Sequence, residues 1–123
     1  HSTGGTLALL VAESTDAFRA VFSLGPVDDI SGYGDEFMPF NRSNWKEVEV
    51  RSPIYWLSSI KNPTFVIEGG VDANGDCIEN MKKRSTNPLI SFFVVQGKDH
   101  FNVIAPVNRT LAKKINADTG PSC

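Results

Sequence analysis

The chain has 123 residues, a formal charge of -2, 41% hydrophobic residues and 21% charged ones. That length carries one core and not two, and the composition is ordinary for a soluble globular protein. Without a basic footprint or a lysine-arginine run, neither nucleic acid nor an anionic membrane surface is an expected partner.

The longest apolar runs, Leu7 to Ala12 and Phe92 to Val95, fall far short of the roughly 18 residues that cross a bilayer, and no charged start leads into an apolar signal segment. Cys77 and Cys123 are too few and too far apart for a metal cluster or a disulfide framework. No metal or cofactor is expected, and the compartment stays open. Asn41-Arg42-Ser43 and Asn108-Arg109-Thr110 fit the glycosylation sequon, a pattern common by chance.

The chain opens on His1-Ser2-Thr3-Gly4-Gly5 and runs at once into apolar residues. These are the last four places of a G-x-S-x-G elbow, plus one glycine. In such an elbow a strained strand-to-helix turn pushes the serine hydroxyl clear of both elements, and small residues beside the turn avoid the neighbouring strand and helix. A serine helix cap explains the same residues equally well. Thr6 to Glu13 is almost wholly apolar, which predicts a helix buried on most sides. Phe18 to Leu24 reads as a strand stopped by Gly25-Pro26. Residues 28 to 44 form a long Gly-, Asp- and Asn-rich loop, the kind that serves as a lid or stays disordered.

Trp45 to Val50 reads as a short helix, and Ser52-Pro53 opens another through Ile60, with serine as cap and proline at the first position. Thr64 to Glu68 is a strand. Asp76 to Arg84 is a helix, with Asp76 as cap, Ile78 and Met81 on one face, and Lys82, Lys83 and Arg84 at the favourable end. Leu89 to Val95 is a continuous apolar strand of the type found in the middle of a parallel sheet. The last helix spaces Val107, Leu111 and Ile115 four apart, with Lys113 and Lys114 facing out. This alternation predicts an α/β sandwich with a parallel sheet. Strands that look fully buried need neighbours on both sides, so three of them resemble part of a larger sheet, a C-terminal fragment. An open edge is also a place where a second copy of the chain would pair.

A serine hydroxyl is a poor nucleophile at neutral pH unless a base lies within hydrogen-bond reach and a carboxylate orients that base. Of the two histidines, His1 lies inside the elbow, directed away from the hydroxyl. His100 follows the last strand and the turn Gly97-Lys98-Asp99, at the strand end where α/β sheets place their chemistry. Asp72 and Asp76 both follow the strand Thr64 to Glu68. Asp72 is preferred as the acid because Asp76 is expected to cap a helix, while Asp99 is expected to shape its turn. The order Ser2, Asp72, His100 is that of α/β-hydrolases.

On these residues the chain resembles the C-terminal half of an α/β-hydrolase catalytic domain of the prolyl-oligopeptidase type. The resemblance rests on the His1-Ser2-Thr3-Gly4-Gly5 elbow, Arg51-Ser52-Pro53-Ile54, Ile60-Lys61-Asn62-Pro63, Gly69-x-x-Asp72 and Gly97-x-Asp99-His100-Phe101. It implies Ser2 as nucleophile, His100 as base, Asp72 as acid and the Thr3 N-H as one of two oxyanion donors. Two departures stand out: Glu68 occupies a place where many relatives have histidine, and Ala73-Asn74-Gly75 replaces the usual continuation after the acid.

The activity implied is acyl transfer from an ester or peptide to water. The other oxyanion donor would lie outside this chain, so the isolated fragment is expected to be nearly inactive. Tyr33, Phe37, Phe40, Trp45 and Trp56 are candidates to line an apolar pocket, although aromatics at such positions more often fill a core. The alternative class is a non-catalytic binding or scaffold protein that keeps the sheet without its chemistry.

Overall fold

A computed structural model describes residues 1–71 and 75–120. The expected acid, Asp72, and Cys123 lie outside the described residues. Helix α1 (Thr3–Ser14) leads to strand β1 (Val21–Leu24), helix α2 (Trp45–Arg51), strand β2 (Thr64–Gly69), helix α3 (Gly75–Arg84), strand β3 (Ile90–Val95) and helix α4 (Ile104–Ala117). The three strands form one parallel sheet in the order β1-β2-β3. Val21 faces Thr64 across the first pair, and Gly69 faces Val95 at the far end of the second.

Side chains of β2 alternate between the two faces of the sheet, and each face has its own core. Val66 joins Leu9 and Ala12 of α1, Ile78 and Met81 of α3, and Leu57 and Ile60 from the segment before β2. Ile67 joins Leu24, Val103 and Val107 on the α4 side. Full burial of side chains such as Leu9, Val66 and Met81 contributes about 1.5–3 kcal/mol each. The predicted layered α/β sandwich is thus present. No helix among the described residues is long and apolar enough to cross a membrane.

Several local expectations are corrected. α1 buries one side only: Gly5, Thr6, Leu9 and Ala12 are covered, while Leu7 and Val11 are 57% and 43% exposed. Its packing partners, β1 and the turns after Ser52, all lie on that one side. β3 is an edge strand of this sheet rather than a middle one, and Phe93 is half exposed. Its run is apolar because α3 covers one face and the α4-side core the other. On α4, Val107 is buried and Leu111 half-buried, but Ile115 is exposed, and the Lys114 ammonium lies 5.4 Å from the centre of the Phe65 ring.

The helix expected from Pro53 to Ile60 is two short 3₁₀ turns, Pro53–Tyr55 and Leu57–Ser59. The Ser52 hydroxyl does not cap it: it donates to the Val48 carbonyl and accepts from the Ile30 N-H. The Asn87 side-chain amide donates to the carbonyls of Leu57 and Ile60, so these are held for another segment and not for a continuing helix. Residues 28 to 44 contain two further 3₁₀ turns, Ile30–Gly32 and Asp35–Phe37. Asp29 anchors the first, accepting from the Ser31 N-H and the Tyr55 hydroxyl, with the Ser52 hydroxyl 3.3 Å away. Burial opposes ionisation of Asp29, but these hydrogen bonds outweigh it and hold its carboxyl below the usual range.

Glu13, on the last turn of α1, has both carboxylate oxygens shielded without a hydrogen-bond partner. Burial pushes its pKa up to about 8. A carboxyl whose folded pKa is raised contributes fully below the unfolded value and loses that contribution as pH rises through the folded one. Stability should therefore fall between about pH 4.5 and pH 8. Glu13→Gln removes the titration. It should flatten that slope and raise stability at pH 8 by on the order of 2 kcal/mol, allowing for the solvent that still reaches the residue. Thermal melts of the two proteins across this range check it; parallel slopes would contradict it.

Candidate active site

Ser2 immediately precedes α1 with φ 56° and ψ -127°, and it is the single non-glycine residue of positive φ among the described residues. Such a conformation costs about 1–3 kcal/mol and persists only where its surroundings over-determine it. Here the Ser2 N-H donates to the Leu24 carbonyl at 2.8 Å and its own carbonyl accepts the Thr6 N-H at 3.0 Å. Its side chain makes no capping hydrogen bond. The geometry is that of the elbow and not of the serine cap, and the hydroxyl is not consumed by the helix. Thr3 is the first helical residue, so its N-H has no place in the intrahelical ladder.

The need for a small residue falls on Gly5 rather than on Gly4. A Cβ on Gly5 would run into the backbone of Leu24, because α1 crosses β1 there, whereas a Cβ on Gly4 would meet nothing within 4 Å.

His100 arrives from the other side of the sheet's end. β3 leaves through Gly97, whose φ is +69°, and the returning loop lies directly on Gly69, where a Cβ would collide with the carbonyls of Lys98 and Asp99. Asp99 shapes this turn as expected, accepting the N-H groups of Phe101 and Asn102 at 2.9 and 2.8 Å. Those two hydrogen bonds hold its carboxyl below the usual range. The turn delivers His100 into a buried position at 9% exposure.

Leu24 and Gly25 join the two halves. Leu24 accepts the Ser2 N-H, and a Cβ on Gly25 would lie 2.6 Å from His100 Cε1 and 2.8 Å from His100 Nδ1. His1, next to the serine, donates through Nε2 to the His100 carbonyl at 2.8 Å, with the two ring centres 4.3 Å apart. The structure therefore brings Ser2 and His100 to one end of the sheet, on either side of the same two residues of chain.

Two acids have different fates from those expected. Asp76 is an exposed residue in the first turn of α3, which begins at Gly75, so it is not the cap. Glu68, unremarked as a site residue by sequence reasoning, is fully buried at 0% exposure. Its Oε2 lies 2.7 Å from His100 Nδ1, and its Oε1 accepts the Gly69 N-H at 2.7 Å. One signal could have found it: an acidic residue ending an apolar strand must be paired or exposed, since an isolated buried charge is prohibitive.

Among the described residues, no cluster of three or more histidine, cysteine, aspartate or glutamate side chains is gathered as metal ligands. Cys77 is no rival nucleophile, because burial pushes its thiol up to about 11 and the thiolate is the reactive form.

No protein-family model matches the sequence, and no curated protein is significantly similar to it. Solved structures are similar in fold. Dipeptidyl peptidase 4 of Porphyromonas gingivalis superposes with a TM-score of 0.70 at 19% identity, over 94% of this chain and 18% of that one. The esterase domain of a Rhodothermus marinus protein gives 0.66 at 16% identity, over 95% and 57%. The 2,6-dihydroxy-pseudo-oxynicotine hydrolase gives 0.60 at 23% identity, over 81% and 32%. The chain thus spans less than two thirds of the length of each of these proteins.

Proposed function

We propose that this chain, an α/β-hydrolase by fold, is the C-terminal part of the catalytic domain of a serine hydrolase that cleaves an ester or peptide bond through an acyl-enzyme. The observation that carries the reading is the strained Ser2, gathered with a buried histidine at the carboxyl end of a parallel sheet. Strain of this kind is kept where a side chain must be presented in a fixed direction. The similarity in fold to a peptidase, an esterase and a further hydrolase is consistent with it.

In the mechanism, the Ser2 Oγ forms a bond to the substrate carbonyl carbon while its proton passes to the imidazole of His100. The carbonyl π electrons move onto oxygen, where the Thr3 N-H is one donor to the developing charge. Collapse of that intermediate restores the carbonyl, breaks the bond to the leaving alcohol or amine, and returns the proton from His100 to it. Water then repeats the sequence on the acyl-serine, which releases the acid and regenerates Ser2. The imidazole needs a carboxylate at Nδ1 throughout. Asp72 is the acid the sequence resemblance implies, and among the described residues the Glu68 carboxylate lies within hydrogen-bond distance of Nδ1.

The test is hydrolysis of p-nitrophenyl acetate by the full-length protein and its Ser2→Ala variant. Turnover by the first, reduced to the solution background in the second, is the expected outcome. Turnover that survives Ser2→Ala, or none from the folded wild type, contradicts the reading.

A further inference from the structure

The geometry points to His1 as a positioning residue, whose side chain ties the loop carrying the base to the turn carrying the nucleophile; this deepens the serine-hydrolase reading and rests on it.

Three observations carry the inference. The first is a direct bond between segments 99 positions apart in the chain: His1 Nε2 lies 2.8 Å from the carbonyl oxygen of His100. A carbonyl has no proton to give, so Nε2 carries the hydrogen and donates it. The bond reaches the backbone of His100 and leaves that residue's imidazole to its own partners.

The second is where the bond falls. The His100 carbonyl and the Phe101 N-H belong to one planar peptide unit. Asp99 Oδ1 accepts that N-H at 2.9 Å, and His1 holds the carbonyl. The unit is therefore gripped at both ends. The Cα of His100 lies in the same plane, so fixing this unit fixes the point from which the imidazole projects.

The third is the other end of the tie. His1 is covalently joined to Ser2, and its own carbonyl accepts the Gly4 N-H at 3.0 Å. Its backbone is thus part of the strained turn that opens α1, where Ser2 has φ 56° and donates its N-H to Leu24. The ring is also packed: its centre is 4.3 Å from that of His100 and 5.9 Å from that of Phe101, which limits its rotation. One side chain thereby couples the place of the hydroxyl to the place of the imidazole, two groups that must stay within hydrogen-bond reach for proton transfer. His1 acts through the His100 backbone and not on the substrate, so its role is positioning.

The experiment compares His1→Phe and His1→Gln with the wild type, all in the full-length protein. Phenylalanine keeps a ring to pack against His100 and Phe101 but has no donor. Glutamine loses the ring but keeps an N-H at a similar reach to Nε2. Turnover of p-nitrophenyl acetate is read beside the carbon NMR signal of the His100 carbonyl, assigned through the amide of Phe101. His1→Phe should lower kcat by about tenfold, with KM changed less than about twofold, and move the carbonyl signal upfield. His1→Gln should keep kcat within about threefold of the wild type, with the carbonyl signal in place. Rescue by a donor without the ring is what a merely space-filling role would not show. The proposal is overturned if His1→Phe keeps wild-type kcat, if His1→Gln loses as much as His1→Phe, or if the loss lies in KM. Should the wild type lack Ser2-dependent turnover, the serine-hydrolase reading fails by itself. The carbonyl signal in His1→Phe then still decides whether His1 holds the His100 loop.

Discussion

His100→Ala in the full-length protein should lower kcat for ester hydrolysis by about 10,000-fold or more, and adding Ser2→Ala to it should lower kcat hardly further. The two side chains would act as one device: the hydroxyl is a nucleophile only while the imidazole can take its proton, so removing either leaves the other idle. Residual catalysis would come from the oxyanion donors and from binding, which neither substitution touches. The arrangement that motivates this is the way the chain holds both groups, with the Ser2 N-H bonded to Leu24 and the imidazole packed on Gly25. Steady-state kinetics of the two single variants and the double variant decide it. Losses that multiply would show two groups working independently and would contradict a shared proton transfer.

Gly25→Ala should damage both stability and turnover although Gly25 takes no part in the chemistry. At φ +59° a side chain costs about 1–2 kcal/mol in backbone strain alone. The added methyl would also occupy space within 2.8 Å of both His100 and Glu68, so the pair must move away from it. Displacing a catalytic group by about 1 Å costs on the order of 100-fold in rate. The expected result is a folded protein with a lower Tm and kcat reduced by about 100-fold, read by thermal melting and kinetics on the same preparation. Wild-type kcat in Gly25→Ala would mean that the imidazole does not need the position it occupies here.

Much of this architecture was legible in the residues because periodicity and punctuation agree. Gly25-Pro26 ends β1, Asn62-Pro63 precedes β2, and the basic end of α3 lies where the helix dipole favours it. Ser2 was legible as an elbow or a cap, and only its backbone angles and the absence of a capping bond separate the two. What stayed hidden depends on long-range partners. The segment after Ser52 looked helical by its local signals, but Ile30 and Asn87 claim the groups a helix would use. Glu68 looked like the end of a strand, because nothing in the neighbouring residues announces that a loop 32 positions later brings an imidazole to it. Apolar strands also conceal their neighbours: the run in β3 reports covered faces and is silent about whether its edge is paired.

The most direct measurement is labelling of the full-length protein with a serine-directed fluorophosphonate, followed by mass mapping of the adduct. One phosphonyl group on Ser2, lost in both Ser2→Ala and His100→Ala, is the predicted result. A folded, unlabelled wild type, or an adduct on another residue, would show that Ser2 is not an activated nucleophile.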